Sequence, residues 1–190
     1  MKHFFLYIFI IFSVAVSSQD NAEKRTKAYL QNKDSVIEET IINRNLPCFS
    51  AISLDGNKIS NNSLTGKITL VNLWFQGCSP CLAEFEMLNR VYHQHKTNNS
   101  FQFLSFTFDS PAEIKQTIEK YSLPYKVYPI SREECNRLNF GLGFPTIIII
   151  NSKGKIVFFR TGGFLDKEKI EESILNVNEK IKKLLNEKVR

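Results

Sequence analysis

The sequence predicts an α/β fold in which a mixed central β-sheet is flanked by helices on both faces. A nearly continuous apolar run over residues 68–75 is typical of a strand that is buried on both sides. Apolar residues at helical spacing follow it directly: Cys81, Phe85, Leu88 and Tyr92. Short apolar runs and amphipathic segments then alternate to the end of the chain, which is the order expected of such a sheet.

Turn signals and apolar runs mark the remaining strands. Asp55-Gly56 suits a tight turn and predicts a small N-terminal β-hairpin over residues 51–59, ahead of the sheet. Four further runs have the length and composition of strands: 101–108, 127–130, 146–150 and 155–160.

Capping signals mark the remaining helices. Ser110 is followed by a proline and by Glu113, and Ser131 is followed by Glu134, so each serine predicts a capped helix start. A last amphipathic helix is predicted over residues 166–188. Its inward positions are Ile170, Ile174, Ile181 and Leu185.

The composition is that of one folded domain with a short appendage. The chain has 190 residues, of which 43% are hydrophobic and 16 are phenylalanine, which is ample for a packed core. A net charge of +6 raises the question of nucleic-acid binding. The lysines are interspersed with glutamates, as over residues 167–172, and that pattern is typical of a solvated helix surface. We therefore expect no nucleic-acid partner.

The first 18 residues have the features of a signal peptide. A short basic start precedes a mostly apolar run over residues 4–16, and small residues follow it. The run is shorter than the roughly 20 residues that span a bilayer as a helix. We predict that residues 1–18 are cleaved, with membrane attachment only through an uncleaved segment. A polar segment at 19–46 and one domain at 47–190 would then lie in the periplasm or elsewhere outside the cytoplasm.

Two cysteines stand where the buried strand passes into the following helix. Free N–H groups and the positive end of the helix dipole stabilise an anion there, so Cys78 is predicted to react as a thiolate. Two intervening residues allow Cys81 to close a small disulfide with Cys78. A structural zinc site would need four ligands, and the sequence has no second Cys-X-X-Cys motif or Cys/His pair. We predict redox chemistry and no metal.

The residues around this pair resemble the active site of thioredoxins. Residues 71–81 read Val-Asn-Leu-Trp-Phe-Gln-Gly-Cys-Ser-Pro-Cys and are similar to the active-site strand of the exported TlpA/ResA branch. That branch is related to the peroxiredoxins of AhpC/TSA type. The resemblance extends over about residues 46–163 and includes Gly-Phe-Pro-Thr at 143–146. It implies a thioredoxin-like fold, no bound cofactor and disulfide exchange with partner proteins.

The resemblance also implies a catalytic base. Glu84 matches the glutamate that ResA-like proteins keep beside the buried cysteine. Three positions after Cys81 on one helix, it can reach that thiol and take its proton. A plain surface glutamate is the alternative. Thioredoxin itself uses an aspartate on the preceding strand, where this chain has Asn72, so the role of the base moves to Glu84.

Four residues are expected to contact partner proteins: Trp74, Gly77, Phe144 and Pro145. Trp74 matches a tryptophan of the family, and Gly77 opens the surface where relatives usually carry a second tryptophan. Pro145 is expected to be cis and to lie against Cys78, with an ordinary strand-opening proline as the alternative. Phe144 replaces a small or β-branched residue and adds apolar contact area.

The predicted function is reduction of disulfides in exported proteins or apocytochromes, with electrons from a membrane-borne donor. A periplasmic disulfide oxidant is the near alternative, because the motif does not set the direction of exchange. A thiol peroxidase is another, although Phe75 stands where peroxiredoxins carry a peroxide-activating threonine. A non-catalytic module such as a copper chaperone is the third. We expect a monomer.

Two further cysteines, Cys48 and Cys135, leave an even remainder in an oxidising compartment. A structural disulfide between them would close a loop of roughly 90 residues and stabilise the fold. Two plain buried thiols are the alternative, because free cysteine behaves as a small hydrophobic residue.

Overall fold

The computed structural model of the protein describes residues 39–188 together with Arg25, Asn32, Val36 and Ile37. The predicted signal peptide, residues 1–18, lies outside the described residues, as does most of the polar segment after it. The chain divides into two compact units, residues 1–41 and 42–190. In the first unit the N–H of Ile41 donates to the carbonyl of Ile37 over 2.9 Å, as in a helix.

The second unit contains the predicted hairpin and a mixed five-stranded sheet. The hairpin strands are β1 (Ser50–Ile52) and β2 (Lys58–Ser60), and the sheet strands are β3 (Ile68–Trp74), β4 (Phe101–Thr107), β5 (Val127–Pro129), β6 (Thr146–Ile150) and β7 (Ile156–Thr161). The sheet order is β5-β4-β3-β6-β7. The pairs β3–β4 and β4–β5 are parallel, whereas β3–β6 and β6–β7 are antiparallel. The predicted sheet class and hairpin are confirmed.

Four helices connect and follow these strands: α1 (Ser79–His95), α2 (Pro111–Tyr121), α3 (Arg132–Leu138) and α4 (Lys167–Lys188). Both predicted capping boxes are present. The Oγ of Ser110 accepts from the N–H of Glu113, whose carboxylate accepts from the N–H of Ser110. Ser131 and Glu134 make the same pair of bonds at the start of α3. Local side-chain chemistry therefore sets where α2 and α3 begin.

Alternate residues of β3 serve two separate packing layers, because a strand presents its side chains to opposite faces in turn. Leu70 and Trp74 belong to one cluster with Phe85 of α1 and with the apolar stripe of α4. Leu73 faces the other side and is equally buried. The four positions predicted to face inward on α4 are all buried. Among the described residues, no helix is both long and apolar enough to cross a membrane.

Candidate active site

The N-terminus of α1 carries the first of the two cysteines. Cys78 is the N-cap residue, and its Sγ accepts a hydrogen bond from the N–H of Cys81 over 3.3 Å. The carbonyl of Cys78 accepts from the N–H of Leu82 over 3.1 Å and so begins the helix. Pro80 suits the first turn because the N–H that it lacks would have no partner within the helix. The sulfur lies where the helix terminus stabilises a thiolate.

Cys78 and Cys81 form a disulfide whose Cα atoms lie 5.2 Å apart. The pair is nearly buried, with 6% of Cys78 and 2% of Cys81 exposed to solvent. Cys78 follows the exposed Gly77, whereas Cys81 belongs to the buried face of α1. A sulfur that approaches from outside therefore meets Cys78 first.

A buried carboxylate lies one turn further along α1. Glu84 is fully buried, which excludes the surface alternative. The guanidinium of Arg160 on β7 donates from Nη1 to Oε1 over 2.8 Å and from Nη2 to Oε2 over 2.9 Å. Burial raises the pKa of Glu84 above its usual value, and Arg160 opposes that rise. Burial and Arg160 together therefore set the pKa of this carboxyl group. It lies on the buried face of α1 that also carries Cys81.

The loop before β6 and the carboxylate of Glu84 both approach Gly163. The peptide bond between Phe144 and Pro145 is cis, as predicted. The N–H of Gly162 donates to the carbonyl of Pro145 over 2.9 Å and joins this loop to the end of β7. A Cβ atom at Gly163 would lie 2.7 Å from Cγ of Pro145 and 2.9 Å from Oε1 of Glu84. Gly163 thus lets Pro145 and Glu84 approach the same stretch of backbone.

Two residues of this site, Arg160 and Gly163, are not among those predicted from the sequence. Arg160 ends a mostly apolar run in β7, which is an edge strand, and a basic residue on an edge strand is ordinarily solvated. Gly163 is one of two consecutive glycines that follow β7, and a glycine pair is typical of a turn. An arginine within an apolar strand is the sequence feature that points to the site. It does not identify the residue that the arginine contacts.

Three half-buried phenylalanines, Phe75, Phe108 and Phe144, form a cluster beside the disulfide. Phe75 stacks on Phe108 with 5.2 Å between ring centroids, and Phe144 meets them edge-on at 5.4 and 5.7 Å. The carbonyl of Phe75 accepts from the N–H of Cys78 over 3.0 Å, which ties the phenylalanine cluster to the redox pair. Gly77 lies against it, because a Cβ there would be 3.2 Å from Cε2 of Phe75.

The structure corrects the prediction that Trp74 contacts partner proteins. Trp74 is fully buried, and its Nε1 donates to the Oγ of Ser105 over 2.7 Å. Its ring packs edge-on against Phe85 of α1, with 5.1 Å between centroids. The physical reason is that β3 is the central strand of the sheet and is covered on both faces. Trp74 is a core residue that packs against α1.

The predicted disulfide between Cys48 and Cys135 is absent from the structure, in which both cysteines are free. Cys48 is exposed, whereas Cys135 is fully buried on α3. Burial raises the pKa of the Cys135 thiol to about 12, and the nearby Asp109 and Glu134 add to that rise. One thiol faces solvent and the other lies in the core, so the two do not form a bridge.

Within the described part of the chain, no group of three or more His, Cys, Asp or Glu side chains could hold a metal ion. His95 is buried and its Nε2 lies 2.8 Å from Oδ1 of Asn178, while His93 is exposed. The imidazole of His95 therefore has a structural partner.

The arrangement performs one kind of chemistry well, which is reversible exchange of a disulfide through a nucleophilic and a resolving cysteine. The fold and the site together define a thiol–disulfide oxidoreductase with a thioredoxin-like fold. The sequence model of the AhpC/TSA family matches residues 42–159. The chain belongs to the AhpC/TSA family.

Its relatives narrow the group further. The chain is 26% identical over 123 residues to thiol-disulfide oxidoreductase ResA of Bacillus thuringiensis (strain Al Hakam), covering 63% of this chain and 69% of that protein. It is 24% identical over 179 residues to the thiol:disulfide interchange protein DsbE of Pasteurella multocida, covering 93% and 92%. The thioredoxin domain of a thiol-disulfide oxidoreductase from Bacteroides vulgatus has a TM-score of 0.59 at 26% identity, covering 72% of this chain and 96% of that one. The predicted TlpA/ResA-like resemblance and disulfide oxidoreductase activity are confirmed.

Proposed function

We propose that the protein reduces disulfides of exported proteins, apocytochromes among them, outside the cytoplasm. The observation that carries the proposal is the place of Cys78 Sγ at the N-terminus of α1, with Cys81 bonded behind it. The signal-peptide features of residues 1–18 support a periplasmic or otherwise extracytoplasmic location. An oxidising compartment is also where proteins with disulfides to reduce are found.

The first half of the reaction joins the partner to Cys78. In the reduced protein the Cys78 thiolate attacks one sulfur of the partner's disulfide and forms a mixed disulfide. The partner's other sulfur leaves as a thiolate and takes up a proton from solvent, equivalent to the one that Cys78 lost on ionising. The N-cap position supports this step, because the helix terminus favours the thiolate form of Cys78.

The second half releases the partner. The Cys81 thiol gives its proton to the carboxylate of Glu84 and attacks Cys78 Sγ, which breaks the mixed disulfide and forms the Cys78–Cys81 bond. The partner's second sulfur leaves as a thiolate and takes up that proton. Two electrons have then passed from the dithiol to the partner. We propose that a membrane-borne dithiol donor returns two electrons and two protons to the pair.

Exposed apolar residues on two loops that are bonded to each other support a polypeptide as the partner. Leu142, Phe164 and Leu165 are exposed by 37%, 42% and 71%. They lie on the loops before β6 and after β7, which are joined by the bond from Thr161 Oγ1 to the Leu142 carbonyl, 2.8 Å. Large exposed apolar groups that lie together mark an interaction surface. We expect an extended segment of the partner to cover this loop surface together with the half-buried Phe144, next to the buried Pro145.

Two other functions remain as outcomes of the test. A disulfide oxidant would use the same two half-reactions in reverse, since the redox potentials of protein and partner decide the direction. Membership of the AhpC/TSA family favours a thiol peroxidase as the second candidate. The residue three positions before Cys78 is Phe75, whose ring packs in the phenylalanine cluster and offers no hydroxyl to a peroxide.

The test is a trapping experiment in the native compartment, coupled to assays of the purified protein. A Cys81→Ser variant should hold partners as mixed disulfides on Cys78, and a Cys78→Ser/Cys81→Ser variant is the matched control that should hold none. The purified protein should accelerate the reduction of insulin by a small dithiol. Peroxide consumption without insulin reduction would replace the proposal with a peroxidase. Copper binding by the reduced protein with neither activity would indicate a metal chaperone.

A further inference from the structure

A charged pair is buried beneath the redox disulfide. Glu84 on α1 is fully enclosed, and only 16% of the Arg160 side chain is exposed. The two nitrogens Nη1 and Nη2 of Arg160 meet the two carboxylate oxygens of Glu84 in parallel, over 2.8 and 2.9 Å. A forked contact of this kind fixes the plane of a carboxylate as well as its charge. Arg160 therefore holds Glu84 in one orientation.

The strand register explains how β7 delivers this arginine to α1. Arg160 pairs with Ile147 of β6, and Ile147 pairs with Asn72 of β3. Residues in one such row face the same side of a sheet. Ile147 packs in the cluster that contains Cys81, so this row faces α1. The guanidinium thus reaches Glu84 from across the sheet, 76 residues away in sequence.

Among the described residues, the neighbourhood of Glu84 includes one charged group, one thiol and neutral backbone and ring atoms. Arg160 on β7 is the charged group that acts on its carboxyl. Cys81, three residues earlier on the same buried face of α1, becomes a titratable thiol when the disulfide is reduced. The Pro145 loop and Gly163 close the remaining side and carry no charge. Any change in the charge at position 160 must therefore be felt first by Glu84.

We infer that Arg160 is a positioning residue that keeps Glu84 ionised and aligned to accept the proton of Cys81. The inference rests on the proposed function, because it concerns the step in which Cys81 attacks the mixed disulfide. Arg160 itself exchanges no proton. The Cys81 proton moves to Glu84. The bond between Cys78 and the partner's sulfur then breaks as the Cys78–Cys81 bond forms. The departing thiolate takes up the proton from Glu84.

The direction of the effect follows from electrostatics. Burial favours the neutral form of Glu84, and the positive charge of Arg160 favours the ionised form. Without that charge the pKa of Glu84 rises further, so Glu84 is protonated over a wider pH range and cannot accept a proton there. As the pH is lowered, the rate of partner release therefore begins to fall at a higher pH than it does in the wild-type protein.

The experiment measures the rate at which the reduced full-length protein reduces a disulfide peptide, as a function of pH. The acidic limb of this profile is assigned to Glu84 by its loss in Glu84→Gln. In Arg160→Met that limb should move up by about one pH unit or more, the usual effect of removing an opposite charge at contact distance. Arg160→Lys keeps the charge but not the forked contact. In that variant the limb should lie close to its wild-type position.

The matched control removes the arginine of an exposed Arg–Glu pair on α1, the helix that carries Glu84. Arg90 and Glu86 form an exposed pair, with 59% and 71% of their side chains accessible, and Arg90→Met should leave the limb in place. An unmoved limb in folded Arg160→Met would overturn the inference. If Arg160→Met fails to fold, Arg160→Gln, which keeps a polar side chain without the charge, should move the limb up in the same way, and an unmoved limb in that variant would overturn the inference.

A second readout separates this inference from the proposed function. The carboxyl of Glu84 can be titrated directly by NMR in protein carrying carbon-13-labelled glutamate, with Glu84→Gln to assign the signal. A wild-type protein that reduces no disulfide would overturn the proposed function. A Glu84 titration that is the same with and without Arg160 would overturn the inference, whatever the activity.

Discussion

Gly163 lies so close to Pro145 that a Cβ atom there would be 2.7 Å from Cγ of the proline ring. The same Cβ would lie 2.9 Å from Oε1 of Glu84. Contacts this short force one neighbour to move, and both neighbours belong to the active site. The glycine is therefore required by space at this position.

We expect Gly163→Ala to lower the free energy of unfolding by about 1–3 kcal/mol, as overpacking of a tight site does. It should also slow insulin reduction, because Pro145 or Glu84 must shift. Gly77→Ala is the matched control for stability, since its nearest atom is 3.2 Å away at the edge of the Phe75 ring, which can turn. Urea unfolding and the insulin assay measure both effects. Wild-type stability and rate in Gly163→Ala would contradict the prediction.

We predict that Cys78 is the attacking thiol and Cys81 the resolving one. Cys78 is the N-cap of α1 and the more accessible of the pair, so its thiolate should react first with an alkylating agent near neutral pH. The measurement is peptide mapping after brief alkylation of the reduced protein. A Cys48→Ser background removes the exposed thiol that would compete for label. Faster labelling of Cys81 would reverse the assigned roles.

We predict that Glu84→Gln keeps the fold but slows release of the partner by about tenfold to a thousandfold, the usual loss of a general base. Wild-type Glu84 loses its base function as the pH falls through its raised pKa, so the rate should drop on the acidic side. The variant should lack that limb and keep the one that reflects the Cys78 thiolate. Rapid-mixing rates between pH 4 and pH 8, a span of about four units around the usual carboxyl range, would measure it.

The control for Glu84→Gln is Asn72→Leu, at the place where thioredoxin carries its base. Neither polar atom of the Asn72 side chain has a hydrogen-bond partner among the described residues, and the side chain is buried. An apolar residue of similar size should be neutral or stabilising there. The acidic limb should stay unchanged in Asn72→Leu. A limb that disappears in this variant would transfer the role of the base to position 72.

We predict that the oxidised native protein takes up one alkyl label, on Cys48. Cys48 is exposed, whereas Cys135 is enclosed and its raised pKa of about 12 leaves it protonated at neutral pH. Cys135 should be labelled only after unfolding. Intact-mass analysis before and after denaturation is the measurement. The contrary result is no label on the native protein, with Cys48 and Cys135 labelled only after reduction. That result would be evidence for a Cys48–Cys135 disulfide.

We predict that the exposed loop surface after β7 binds polypeptide partners. Leu165→Ser should raise KM for insulin by about tenfold or more, since burial of one leucine is worth about 1.5–3 kcal/mol, and leave the rate with a small disulfide unchanged. Leu175→Ser is the matched control, because Leu175 is similarly exposed but lies on α4. An equal effect of the two substitutions on insulin reduction would argue against this surface.

The elements that sequence predicted well are those governed by local chemistry. The serine caps at 110 and 131 begin their helices because a side chain three residues from its partner needs no other part of the fold. The inward stripe of α4 follows from helical periodicity alone. The redox pair is equally local, since a Cys-X-X-Cys motif at a strand-to-helix junction carries its own geometry. Sequence by itself therefore determined the fold class and the two reactive sulfurs.

Tertiary structure decided which side chains complete the site and which are buried. Arg160 reaches Glu84 only because β7 pairs with β6 in one particular register, and a contact across 76 residues leaves no local pattern. Trp74 matches a family position, yet the central place of β3 in the sheet encloses it. Cys48 and Cys135 make an even pair in sequence, but one is exposed and the other lies in the core. Burial and long-range pairing depend on how the whole chain packs, and residue type alone does not contain that information.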